Sequence, residues 1–157
     1  IFPIPEKSIG KSGARLMSLR HPENKMSKSS DDINGTIYFN DSKESILKKF
    51  KSSVTDSENI IKYDPELKPG ISNLIEIYAA ITDKEIKDSE KEFQNLQYGE
   101  FKIAVAETVV DYLEPIKKKY EELRTNDIED IVEKNLNLAH ESAADTIMEV
   151  EEALGIN

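Results

Sequence analysis

From Ile128 to Leu154 the apolar residues Ile128, Val132, Leu136, Ala139, Ala143, Ile147, Val150 and Leu154 recur at steps of 4, 4, 3, 4, 4, 3 and 4. An α-helix puts such positions on one face, because about 3.6 residues complete each turn. A second stripe, Ile103, Ala106, Val109, Val110, Leu113, Ile116, Tyr120 and Leu123, obeys the same rule and predicts a helix from Gly99 to about Arg124. Two long amphipathic helices need apolar partners, so the chain from about residue 71 onward is predicted to be a helical bundle. Asn126 with Glu129 has capping-box spacing for the last helix, and Gly155 is placed to close it. Pro115 lies inside the earlier stripe. Lacking an N–H, it predicts a kink or break near Asp111 and Tyr112.

Upstream, the signals are shorter. Ile1-Phe2-Pro3-Ile4-Pro5 reads as an extended edge, since proline donates nothing to a ladder. Gly10 and Gly13 bracket a flexible turn before the apolar run 14–19. Thr36-Ile37-Tyr38-Phe39 has the β-branched and aromatic content of a short strand. A helix then starts at Asn40 or Asp41, where Asp41 and Glu44 have capping-box spacing, with Ile46, Leu47 and Phe50 inward. Lys48, Lys49 and Lys51 fall in its last turn, opposing the negative helix end. Val54 to Gly70 reads as an ordered linker stopped by Pro69-Gly70. Ser72 is placed to cap a helix over 72–81 with Leu74, Ile75, Ile77, Tyr78 and Ile81 inside. Thr82 with Glu85 opens a short helix to about Gln94, with Ile86 and Phe93 inward.

Charge divides unevenly. Residues 1–51 carry ten Lys/Arg against six Asp/Glu, and residues 52–157 carry eleven against twenty-five. A chain with net charge −10 lacks the basic face of a general nucleic-acid binder. There is no cysteine, hence no disulfide and no thiolate zinc site, which fits a reducing cytoplasm. No apolar run reaches membrane-spanning length.

The basic character gathers at Lys25-Met26-Ser27-Lys28-Ser29. A turn with two ammonium groups, backbone N–H groups and serine hydroxyls suits a polyphosphate, since cations neutralise its oxygens and the other donors add neutral hydrogen bonds. This pentapeptide is the signature loop of class I aminoacyl-tRNA synthetases, letter for letter. Its flanks, Gly13-Ala14-Arg15-Leu16-Met17-Ser18-Leu19 before it and Val54-Thr55-Asp56-Ser57 with Lys68-Pro69-Gly70-Ile71-Ser72-Asn73-Leu74 after it, resemble the bacterial tryptophanyl-tRNA synthetases. The resemblance runs from about Ile4 to Leu154.

The resemblance implies a mainly α fold: a short α/β remnant of a Rossmann-type catalytic domain (1–40) carrying the loop, a connecting helix and linker (41–70), and a helical anticodon-binding domain (71–157). It implies that Lys25 and Lys28 are catalytic and bind the triphosphate of ATP. Leu16, lying against the adenine, and Met26, Ser27 and Ser29 complete the ATP contacts. Mg2+ accompanies the nucleotide, and no protein-bound metal site is implied. The implied partners are tryptophan, held by an upstream half, and the anticodon of tRNA(Trp), within a cytoplasmic homodimer and with no membrane role. Lys117, Lys118, Lys119 and Arg124 form the positive cluster of the acidic half and are candidate tRNA contacts. Arg15 is a further candidate for a phosphate or salt bridge. His21 reads as a surface-turn histidine with no catalytic role, His140 has no nearby Cys or His for a metal site, and Asp31-Asp32 reads as a solvated pair.

The family's second signature, His-Ile-Gly-His, does not occur in this sequence. The chain therefore reads as a C-terminal portion that does not activate tryptophan by itself. Two other readings stand beside this one: a non-enzymatic helical interaction module with a coincidental loop, and a tyrosyl-specific relative.

Overall fold

The structure is a computed structural model, and it describes residues 2–8, 13, 15–124 and 128–156. The expected turn at Gly10 and the expected cap at Asn126 lie outside the described residues. Among the described residues, five helices follow a 3₁₀ turn at Ile33–Gly35: α1 (Lys43–Lys51), α2 (Pro69–Thr82), α3 (Ile86–Phe93), α4 (Tyr98–Arg124) and α5 (Glu129–Leu154). The chain divides into two compact units, Ile9–Lys118 and a second made of Ile1–Ser8 with Lys119–Asn157.

The core of the first unit is drawn from α1, α2, α3 and the first half of α4. Phe50 and Ile46 of α1, Ile71, Leu74 and Ile75 of α2, and Phe101 and Val105 of α4 are all at most 1% exposed. Phe93 of α3 joins them edge-on to Tyr78, with ring centroids 4.6 Å apart, and tilted against Phe101 at 5.0 Å. Helical spacing assigned Ile46, Phe50, Leu74, Ile75, Tyr78 and Phe93 to the interior, whereas Ile71, Phe101 and Val105 are additional core positions and Ile103 is only partly buried.

Helix starts differ from expectation in ways that backbone chemistry explains. Ser42, not Asp41, caps α1, its hydroxyl accepting from the Ser45 amide at 3.2 Å. Pro69 begins α2 instead of stopping what precedes it, because proline's missing N–H costs nothing in a first turn. Gly70 is required beside it, since a Cβ there would lie 2.1 Å from the Val54 carbonyl oxygen. Ser72 is accordingly inside the helix, and its hydroxyl accepts from the Asp64 amide at 2.8 Å. Asp83 closes α2 in the left-handed conformation, and the Thr82 hydroxyl turns back to the Tyr78 carbonyl. Thr82 is therefore no cap for α3, which begins after Glu85.

Three further expectations are corrected. Thr36–Phe39 pairs with nothing as a strand, and among the described residues the only β pairing is an isolated antiparallel bridge between Met17 and Lys25. The extended backbone at 36–39 is instead tied by side chains, as described below. Helix α4 is not split at Pro115, and it runs as one helix from Tyr98 to Arg124. Finally, the stripes beyond Leu113 are not interior: Leu113 still packs against the core, but Ile116, Tyr120 and Leu123 are exposed, and α5 has no buried residue among those described. Periodicity fixes which face of a helix is apolar, but burial needs a second apolar surface against it.

The linker 54–70 is ordered by polar bonds. The Val54 amide donates to the Leu19 carbonyl at 2.8 Å. Lys68, nearly buried, reaches Glu58 at 2.6 Å and Asp56 at 3.0 Å, while the Tyr98 hydroxyl lies 2.7 Å from Asp56. Burial raises the Asp56 carboxyl, but the hydrogen bonds from Tyr98, the Glu58 amide and Lys68 outweigh it and hold the group below its ordinary value. The Glu58 carboxylate, chiefly, keeps the Lys68 ammonium above its ordinary value despite desolvation. This cluster fastens the linker to the start of α4.

Candidate functional site

The basic loop stands on a short hairpin-like stem. Met26 N–H donates to the Leu16 carbonyl at 2.9 Å and Ser18 N–H to the Asn24 carbonyl at 2.8 Å, flanking the Met17–Lys25 bridge. The turn between them closes through Asn24 N–H to the His21 carbonyl at 2.8 Å, and the Ser18 hydroxyl accepts from the amides of Arg20 and His21. Polar local bonds replace the longer ladder that a regular strand would supply.

Helix α2 holds this stem from behind. The buried Asn73 amide accepts from Met17 N–H at 2.9 Å and donates to Met17 C=O at 2.8 Å. A side-chain amide has one acceptor and two donors, so it matches a strand's peptide unit on both groups. Asn73→Ala leaves both backbone groups unsatisfied. We expect a loss of about 2 kcal/mol in urea unfolding; a loss below about 0.5 kcal/mol would contradict the clamp.

Beyond the stem, the serines organise the loop internally. Ser27 and Ser29 hydroxyls lie 3.0 Å apart, and the Ser30 amide donates to the Ser27 carbonyl at 3.2 Å. Two outside hydroxyls grip the carbonyls here: Thr36 donates to Ser27 O at 3.0 Å and Tyr38 to Lys28 O at 3.4 Å. Lys25 and Lys28 are exposed, and among the described residues neither ammonium group has an acidic partner. Two exposed cations three residues apart on an anchored loop are chemically suited to an anion with several charged oxygens.

Leu16 and Met26, far apart in character from the lysines, meet in one pocket of about 290 Å³ with Ile37, Tyr38 and Phe39. Its lining is apolar and aromatic, which suits a flat ring system. Arg15 lines a different pocket, of about 410 Å³, with Met17, Tyr63, Asn73 and Glu76. There the Glu76 carboxylate accepts from the Tyr63 hydroxyl at 2.7 Å and, together with burial, pushes that phenol up to about 12.

Of the basic cluster on α4, Lys117 donates to the Asp41 carbonyl oxygen. Lys119 and Arg124 are exposed and pair loosely with Glu122 and Glu121 on their own helix. Lys118 is exposed. His21 lies 3.5 Å from Glu23 and 3.8 Å from Asp32. Among the described residues no group of three or more His, Asp or Glu could hold a metal ion, and no helix is long and apolar enough to cross a membrane. Sequence reasoning gave Thr36, Tyr38 and Asn73 no part in the site: Thr36 and Tyr38 read as residues of a short strand, and Asn73 lay in a stretch quoted only for its resemblance.

The family model described as tRNA synthetases class I (W and Y) matches residues 1–114. The tryptophan–tRNA ligase of Oceanobacillus iheyensis is 45% identical over 157 residues, covering 99% of this chain and 48% of the relative. That of Bacillus anthracis is 42% identical over 158 residues, covering 100% and 48%. The crystal structure of tryptophanyl-tRNA synthetase from Mycoplasma pneumoniae superimposes with a TM-score of 0.85 at 30% identity, covering 94% of this chain and 45% of that one. The chain thus spans about half the length of the curated relatives it matches. Because that family model covers well over half of its 157 residues, the chain belongs to the class I tRNA synthetases of the W and Y type.

Proposed function

We propose that the chain supplies the phosphate-binding loop and the anticodon-binding helices of a tryptophan–tRNA ligase. The full protein activates tryptophan with ATP and transfers it to tRNA(Trp). The observation that carries this reading is the pair of exposed ammonium groups of Lys25 and Lys28, without an acidic partner among the described residues, on a stem-held loop beside the Leu16–Met26 pocket. The tryptophan carboxylate attacks the α-phosphorus, the bond to the bridging oxygen breaks, and pyrophosphate leaves. Negative charge grows on the bridging and leaving oxygens as that bond stretches. Positioned ammonium groups stabilise it more in the transition state than in the ground state. Leu16 and Met26 hold the adenine, Ser27 and Ser29 shape the loop, and ATP brings Mg2+ with it. The loop closes over ATP and reopens for products.

Residues 1–40 form the edge of the catalytic domain in this reading, 41–70 the connection, and 71–157 the helical domain. An acidic helical domain reads a few unstacked anticodon bases through aromatic, amide and carboxylate groups, while a few cations hold phosphates. Lys118, Lys119 and Arg124 offer such contacts, and Lys117 retains donors beyond the one given to Asp41. The protein works as a cytoplasmic homodimer, as the resemblance implies. ATP-dependent charging of a tRNA(Trp) transcript with tryptophan by the full-length protein tests the proposal. Charging that falls when the anticodon is changed is the expected result, and no charging of the unaltered transcript overturns it.

A further inference from the structure

We propose that Lys49 is a positioning residue for the phosphate-binding loop, acting through the hydroxyls of Thr36 and Tyr38. The inference rests on the functional reading above and adds a part to it. By sequence Lys49 is one of three lysines that oppose the negative end of α1. In the structure it differs from the other two, because its side chain is 4% exposed and turned inward. Its ammonium donates to the Thr36 carbonyl at 2.9 Å and to Asp41 Oδ2 at 2.6 Å, and lies 4.7 Å from the centre of the Tyr38 ring. Asp41 accepts in turn from the Tyr38 amide at 2.8 Å and the Ser45 hydroxyl at 3.0 Å. Burial raises the Asp41 carboxyl, but the Lys49 hydrogen bond, then those from Tyr38 and Ser45, more than offset it and hold the group ionised below its ordinary value.

The segment 36–41 is therefore wrapped around a single buried cation. Both side chains that this segment returns to the loop end on carbonyls flanking the catalytic position: Thr36 on Ser27 O and Tyr38 on Lys28 O. Burying an ammonium and a carboxylate costs more than packing apolar groups of the same size, so the pair is poorly explained as a source of stability. It is well explained as a way to fix Thr36 and Tyr38, since a charge with directional bonds specifies position where an apolar contact slides. Displacing a transition-state cation by about 1 Å can cost as much as 100-fold in rate.

The test uses the full-length protein and tryptophan-dependent ATP–pyrophosphate exchange. Lys49→Met combined with Asp41→Asn removes both charges without leaving one unpaired. Thr36→Val combined with Tyr38→Phe removes only the two hydroxyls and leaves the buried pair intact, so it decides the matter if the first variant does not fold. Each folded double variant is expected to lose roughly tenfold in kcat/KM for ATP while the KM for tryptophan stays within about twofold. Trypsin is expected to cut the loop after Lys25 and Lys28 faster in the variants than in wild type. Lys49→Arg, which keeps the charge, is expected to recover most of the loss. Wild-type kinetics for ATP in the hydroxyl-deleted variant would overturn the role, as would equal losses toward both substrates. No exchange by wild type itself would overturn the function and this inference together, and so separates the two failures.

Discussion

Replacing both Lys25 and Lys28 with alanine in the full-length protein lowers tryptophan-dependent ATP–pyrophosphate exchange by about a thousandfold or more. One positioned donor to charge that develops in a transition state is worth roughly 10²–10³ in kcat. The two lysines serve the same leaving group, so their losses do not simply multiply. Stability is expected to hold within about 0.5 kcal/mol, because both side chains are exposed and make no ion pair among the described residues. Circular dichroism alongside the exchange assay separates the two effects. Full exchange activity in the folded double variant would remove the phosphate role from the loop.

Phe101→Ala produces the largest expected effect on stability. The ring is fully buried where α4 meets α3, tilted against Phe93 at 5.0 Å, and lies in the cluster that includes Ile71, Leu74 and Phe50. Truncation removes the buried ring and leaves a cavity that its rigid neighbours fill only in part. The expected destabilisation is about 3–5 kcal/mol, read from the shift in urea midpoint at constant m-value. A shift equivalent to less than about 1 kcal/mol would mean that the core collapses around the site or that α4 contributes little to it.

How far the sequence could be read depended on whether a signal was local. The helices α2, α4 and α5 were legible because 3.6-residue spacing is written in consecutive residues, and Leu74, Ala106 and Val109 are buried as that spacing requires. The loop was legible as a pentapeptide whose chemistry suits phosphate. Helix starts were less so. Asp41 and Ser42 are adjacent residues that can both cap, and what decided between them was Asp41's bond to Lys49, eight residues away. Pro69-Gly70 reads equally as an end or a beginning until the Val54 carbonyl is known to sit against Gly70.

The support of the candidate site was the least legible part. Asn73 reaches Met17 across 56 positions of chain, and Thr36 reaches Ser27 across nine, through bonds with no periodicity to announce them. Lys49 was hidden by a sufficient explanation, since a lysine in a last helical turn already satisfies the helix dipole. The exposed stripe of α5 shows the opposite limit: Val132, Leu136 and Ile147 are correctly aligned on one face yet more than half exposed. Alignment came from sequence, whereas cover comes from whatever surface meets the helix.

The most direct test of the central claim is isotope exchange between pyrophosphate and ATP catalysed by the full-length protein, measured with tryptophan and with tyrosine as the only amino acid present. The account predicts rapid exchange with tryptophan and none above background with tyrosine. Exchange that follows tyrosine, or none with either amino acid, contradicts it.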